Sequence, residues 1–282
     1  HWGSDTELMY GFSWALSPGE VSHITTTSQE QLKWVETDMI GLESERFSLP
    51  YRTEWRSADG IKFDAWVYRP GRINNDIFVP ARPIRPFPVV ILFHGGPESQ
   101  FRPRFMGRYN YLIAEEKIVI ICPNVRGSRG YGKKFLKADN GRERKNVLAD
   151  ITRIYNQVAV EPHFDQNRIA VMGGSYGGFM ALHSMVEMNS FLKCGVNVVG
   201  ISNFVTFLEN TSEYRRDLRR AEYGDERLPE MRKFLQDLSP LTHVDKITRP
   251  LLIVQGANDP RVAASESEQI ENILRKKKIE TW

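Results

Sequence analysis

Ser175 lies within residues 170–180, AVMGGSYGGFM, at the centre of Gly173-Gly174-Ser175-Tyr176-Gly177. A serine with glycines two places before and two places after it reads as a nucleophile at the tip of a strand-to-helix turn. Gly173 and Gly177 remove the side chains that would collide there. A serine hydroxyl is a weak nucleophile at neutral pH and needs a neighbouring base. Acyl transfer also needs two donors aimed at the developing oxyanion. The N–H of Tyr176 is one, at the start of the following helix; the Gly-Gly turn of His94-Gly95-Gly96-Pro97 is expected to supply the other. The run Gly256-Ala257-Asn258-Asp259-Pro260-Arg261-Val262 follows a buried apolar stretch, and Asp259 stands where the acid of a Ser…Asp…His order belongs.

The base is the missing partner. The six histidines are His1, His23, His94, His163, His183 and His243, and none follows Asp259. His163 and His243 precede strands and belong at the opposite edge of the sheet. His183 is eight residues past Ser175, about 12 Å along a helix. His94 belongs to the oxyanion turn and faces the wrong side of a substrate, and His1 and His23 fall in an N-terminal arm. The reading therefore places the base beyond Trp282, in a loop after one further strand, and expects residues 1–282 alone to be close to inactive.

The elements that must hold these residues are legible. Five short, nearly continuous apolar runs, 89–93, 118–122, 169–172, 196–199 and 251–255, suit strands buried on both faces of a parallel sheet. Helical periodicity lies between them, at Val147, Leu148, Ile151, Ile154 and Val158 and again at Ile270, Ile273 and Leu274. Ser265 and Glu268 predict a capping box for the last helix. Alternating runs at 46–56 and 61–69 joined by Ser-Ala-Asp-Gly predict a hairpin, and a Pro-rich stretch, 70–88, predicts a surface loop. Residues 201–249 interrupt the rhythm with helices and charge, as an insertion over the strand ends would. Phe204, Phe207 and Tyr214 in it read equally well as pocket wall or as core. The fold class is thus α/β: a doubly wound, mostly parallel sheet with an N-terminal antiparallel hairpin, lacking its last strand and helix. Two domains are expected, an arm at 1–45 and the catalytic domain at 46–282.

Composition narrows the function. Hydrophobic and charged fractions of 41% and 26% and a net charge of +3 argue against nucleic-acid or membrane partners. Two cysteines, Cys122 and Cys194, sit in apolar runs and suit a reducing, cytoplasmic setting. The run Gly127-x4-Gly132-Lys133 nearly spells a phosphate loop, but Lys134 stands where Ser or Thr should hold Mg²⁺. There is no metal-ligand spacing, so neither cofactor nor metal is expected.

Taken together, His94-Gly95-Gly96-Pro97, the run Asn124-Val125-Arg126-Gly127-Ser128-Arg129-Gly130-Tyr131-Gly132, the serine motif and Asn258-Asp259-Pro260-Arg261-Val262 are specific. Over about residues 47–282 the chain resembles the catalytic domain of the prolyl oligopeptidase family of serine peptidases, nearest its acylaminoacyl-peptidase-like branch. The resemblance implies Ser175 as nucleophile, Asp259 as acid, and Tyr176 with Gly96 as oxyanion donors. It implies that Arg261 binds a substrate carbonyl and that Val262 walls the pocket for the residue before the cut. It also implies an N-terminal β-propeller, of which residues 1–45 would be the last strands and linker. Ala263 departs from the proline usual after Arg-Val. The expected function is hydrolysis of short peptides through an acyl-enzyme, with short peptides as partners and homo-oligomerisation left open. A carboxylesterase on the same fold and a non-catalytic binding protein with a decayed triad are the alternatives.

Overall fold

The computed structural model describes residues 2–4, 6–39, 41–75 and 77–282, so His1 lies outside the described residues. The chain divides into two compact units, one of residues 1–51, 67–83 and 102–119, the other of 52–66, 84–101 and 120–282.

In the first unit, strands β1 (Trp2–Ser4), β2 (Glu7–Trp14), β3 (Ser17–Thr25) and β4 (Gln31–Glu36) form an antiparallel sheet in chain order. After β5 (Tyr51–Arg56) and β6 (Lys62–Tyr68), β7 (Gly71–Asn74) and β8 (Ile77–Pro80) pair as a small hairpin. This corrects the reading of 70–88 as a loop. Gly71 lets the Phe78 ring lie across it, where a β-carbon would come within 2.4 Å of that ring. Pro80 sits at the strand end, where a missing N–H is tolerated. Helix α1 (Tyr109–Ala114) completes this unit.

The second unit is built on a seven-stranded sheet. Its further strands are β9 (Phe87–Phe93), β10 (Val119–Asn124), β11 (Phe164–Gly174), β12 (Leu192–Val198) and β13 (Leu251–Val254), in the order β13-β12-β11-β9-β10-β6-β5. The contacts of β11 with β9 and β12, and of β12 with β13, are parallel. All five apolar runs are therefore strands, and the hairpin of β5 and β6 closes through a tight turn in which Ser57 N–H reaches the Ile61 carbonyl at 2.9 Å. Thr281 makes a parallel bridge to Leu251, and Ile253 N–H donates to the Trp282 carbonyl at 2.8 Å, so these last residues lie along the outer edge of β13.

Helices α2 (Lys133–Leu136), α3 (Val147–Val160), α4 (Tyr176–Glu187), α5 (Phe204–Asn210), α6 (Glu213–Tyr223), α7 (Pro229–Leu238) and α8 (Ser265–Lys276) fill the intervals. In α3 the periodic Val147, Ile151, Ile154 and Val158 are buried, and α4 is buried from Tyr176 through Val186. Residues 201–249 hold three helices and a 3₁₀ turn and no strand. The capping box is not formed. Ala264 occupies the cap position without a side-chain bond, and Ser265 is already helical. The first-turn carboxylate that matters is the buried Glu266, which accepts from the Ser202 and Asn203 N–H groups at 3.0 and 2.8 Å.

The motif at 124–132 is a tie between layers. Buried Arg126 bonds Asp150 of α3 through Nε (2.9 Å) and Nη2 (2.6 Å) and Asp59 of the β5–β6 turn through Nη1 (2.6 Å). Asn124 and the Tyr131 hydroxyl converge on buried Asp64 at 3.1 and 2.6 Å.

Strand order explains where a site can form. From β9 the chain passes to β10 on one side, then returns through α3 to β11 on the other. Such a reversal opens a crevice at the carboxyl ends of the two central strands. Gly173 pairs with Phe93, so the residues following β9 and β11 emerge side by side.

Candidate active site

At the end of β11 the chain turns directly into α4, and Ser175 absorbs the turn with φ 57° and ψ −119°. That conformation is costly for any residue with a side chain, on the order of 1–3 kcal/mol. The packing allows no relief. A β-carbon on Gly173 would lie 2.0 Å from the Gly177 carbonyl oxygen, and one on Gly177 would lie 2.4 Å from that of Phe93. Ser175 N–H donates to the Val198 carbonyl at 3.0 Å and its own carbonyl accepts from Phe179 at 3.1 Å, which anchors the turn to β12 and to the helix.

The Gly95-Gly96 turn lies against this serine. A β-carbon on Gly95 would sit 3.4 Å from the Ser175 β-carbon. Gly96 adopts φ +126°, and a β-carbon there would lie 2.7 Å from the Glu98 nitrogen and 2.8 Å from that of Ser99, a position only glycine fills without strain. The N–H of Tyr176, at the first position of α4, has no hydrogen-bond partner among the described residues, and the helix dipole there favours a negative oxygen. The structure thus brings Ser175, Tyr176 and the glycine turn together.

Asp259 follows β13 in a turn of its own. One carboxylate oxygen, Oδ1, accepts from the N–H groups of Arg261 at 2.8 Å and Val262 at 3.1 Å. The other accepts no hydrogen bond among the described residues. This loop is tied to the α5–α6 junction, where the Ser212 hydroxyl donates to the Pro260 carbonyl at 2.7 Å and that of Thr211 to the Arg261 carbonyl at 2.9 Å. The Arg261 side chain is exposed, while Val262 is buried.

Beside Gly96 opens a cleft of about 490 Å³ lined by Glu98, Asn140 and the α6 residues Tyr214, Leu218, Arg219 and Glu222 among others. The insertion therefore forms a wall, as expected. Tyr214 faces this cleft, whereas Phe204 and Phe207 are core and pack on Tyr223 at ring distances of 5.4 and 5.6 Å. Arg261 and Val262 do not line it.

Each described histidine is held elsewhere. His94 joins the Gly95 carbonyl through Nδ1 (2.7 Å) and the Ser128 hydroxyl through Nε2 (2.8 Å). His163, just before β11, meets Glu161, and His243 meets the Asp237 carbonyl at 2.7 Å. His23 accepts from the Trp34 indole in the four-stranded sheet at 2.7 Å. His183 is buried within α4, and burial pulls its pKa down to about 4. A buried imidazole of this kind stays neutral in the fold but protonates in the unfolded chain near its ordinary 6.5. Its folded pKa is the lower one, so stability is full above pH 6.5 and falls as pH drops towards 4. The loss is on the order of 3 kcal/mol across that window. His183→Leu is expected to flatten the fall of Tm between pH 6.5 and 4, checked by thermal denaturation of both proteins across that range.

Sequence reasoning missed the polar cluster behind Tyr176. Its hydroxyl donates to Asp139 Oδ2 at 3.0 Å, and the fully buried Arg144 donates to the same oxygen at 2.9 Å. Burial pushes the Asp139 carboxyl above the usual carboxylate range, with Arg144 pulling it back. The stretch Ala138-Asp139-Asn140-Gly141-Arg142-Glu143-Arg144 carries no apolar period to mark it as interior.

Set against known proteins, residues 103–281 match the model of the prolyl oligopeptidase family. The chain is 36% identical over 209 residues to dipeptidyl aminopeptidase BIII of Pseudoxanthomonas mexicana, covering 73% of this chain and 30% of that protein. It is 25% identical over 224 residues to the human acylamino-acid-releasing enzyme, covering 78% and 29% respectively. The crystal structure of the Pyrococcus horikoshii acylaminoacyl peptidase superposes with a TM-score of 0.83 at 24% identity, over 99% of this chain and 42% of that one. The chain spans less than half the length of each of these proteins. The fold is the α/β-hydrolase fold of such peptidases. By its strand order, its serine turn and this match over most of its length, the chain belongs to the prolyl oligopeptidase family.

Proposed function

We propose that the protein is a serine peptidase that hydrolyses short peptides through an acyl-enzyme. One observation carries this reading: Ser175 is held in a strained turn directly against Gly95, with the N–H of Tyr176 beside it at the start of α4. In this mechanism the Ser175 hydroxyl attacks the peptide carbonyl. The N–H groups of Tyr176 and Gly96 take the oxyanion charge, and Asp259 orients the imidazole that removes the serine proton. The split roles of its carboxylate support Asp259 as the acid, since backbone amides fix one oxygen and leave the other for an imidazole N–H. Arg261 is proposed to hold a substrate carbonyl and Val262 to shape the wall nearby.

The base is proposed to come from outside residues 1–282, which is supported by the placement of the five described histidines: His23, His94, His163 and His243 are hydrogen-bonded elsewhere and His183 is buried within α4; residues 1–282 by themselves would then be close to inactive. The four-stranded sheet over β1–β4 supports residues 1–45 as the end of a β-propeller and its linker. The held-away histidines equally favour a second reading, a binding protein whose triad has decayed. Two measurements on the full-length protein decide. A fluorophosphonate is expected to label Ser175; no labelling would favour the binding protein. An aminoacyl p-nitroanilide is expected to turn over alongside a short acyl ester; ester turnover alone would make the protein a carboxylesterase.

A further inference from the structure

Both proposed oxyanion donors trace back to one buried side chain. Arg144 is fully buried, and its guanidinium carbon lies 5.0 Å from the ring centre of Tyr176 and 4.3 Å from that of Tyr223. Its Nη1 donates to Asp139 Oδ2 at 2.9 Å, and the same oxygen accepts from the Tyr176 hydroxyl at 3.0 Å. Its Nη2 donates at 3.1 Å to the carbonyl of Glu222, the residue preceding Tyr223. The Tyr223 hydroxyl in turn donates to the carbonyl of Gly96 at 3.3 Å. Tyr176 and Gly96 come from different strand ends, and Tyr223 from the end of α6. The ladder pairs Gly173 with Phe93, and the two N–H groups lie three residues beyond that pair.

We propose that Arg144 is a positioning residue for the oxyanion hole, clamping Tyr176 on one side and, through Tyr223, Gly96 on the other. The proposal rests on the serine-hydrolase reading above. A cation between two aromatic faces, excluded from water, is held far more firmly than one at the surface. Its hydrogen bonds to Asp139 and to the Glu222 carbonyl set the angle at which the two rings stand. The effect of losing it would appear in the transition state, when charge develops on the oxygen, and hardly at all in ground-state binding.

The test compares wild type, Arg144→Met, Arg144→Lys and Tyr223→Phe in the full-length protein. Each is titrated with a fluorophosphonate, so that kcat refers to active sites and not to total protein. Loss of an oxyanion donor costs about 10²–10³ in kcat, so a displaced pair is expected to cost Arg144→Met roughly 10–100-fold per titrated site, with KM within about threefold. Arg144→Lys, which keeps the charge beside Asp139, is expected to fall between the two. If kcat per titrated site is unchanged while Tm and the titrated fraction fall, Arg144 only supports the fold and the proposal is overturned. Should Arg144→Met fail to fold, Tyr223→Phe decides, since it deletes only the hydroxyl on Gly96. A several-fold loss of kcat supports the clamp, and wild-type kcat overturns it. Wild type that takes up no fluorophosphonate at Ser175 would overturn the hydrolase reading itself, and the clamp with it.

Discussion

Replacing Ser175 by alanine is expected to abolish amide and ester turnover in the full-length protein, by a factor approaching 10⁶. The fold should hardly notice the change. No side-chain cap bond is made by Ser175, and alanine meets the same backbone strain at φ 57°. Glycine at this position is more informative. It removes the β-carbon from a left-handed conformation, so Ser175→Gly is expected to raise stability by about 1 kcal/mol while also being inactive. Turnover of a p-nitroanilide and midpoints of chemical denaturation check the two halves. Retention of turnover by Ser175→Ala would remove the serine from the mechanism altogether. A Ser175→Gly protein less stable than wild type would show that the turn is not strained.

The second large effect is on stability and lies far from the chemistry. Arg126→Met is expected to destabilise the protein by about 3–5 kcal/mol, because Asp150 would be left charged and buried without its partner. Both side chains are almost fully buried, and Asp150 also accepts from the buried Ser57 hydroxyl at 2.6 Å. The double variant Arg126→Met/Asp150→Leu is expected to recover much of that loss, since it removes the stranded charge and leaves apolar volume. A denaturation cycle over the four proteins measures the coupling. Additive losses would mean that the pair is solvated and the tie between β10 and α3 unimportant.

Much of this architecture can be read from the chain. The five unbroken apolar runs become β9 to β13 because only strands covered on both faces tolerate such sequences in water. Gly173 and Gly177 are informative because a β-carbon on either would collide with backbone, where no side chain could stand. What the chain conceals is of two kinds. The β7–β8 hairpin hides behind prolines and exposed apolar residues such as Ile77, since a two-stranded ribbon needs no buried face to pattern it. The Asp139–Arg144 pair hides because a buried charge looks like a surface charge until its partners arrive from elements far along the sequence. Tyr176 and Tyr223 are such partners, and neither lies within thirty residues of Arg144.

The wall formed by α6 has a consequence for how such a protein could acquire new preferences. Its outer residues Tyr214 and Leu218 are about three-quarters exposed, yet they border the cleft beside the glycine turn. The serine turn itself is framed by main chain, with Gly173 and Gly177 set against backbone carbonyls. Retooling the one therefore need not disturb the other. Drift at these two exposed positions would reshape the cleft wall and leave the proposed catalytic turn as it is.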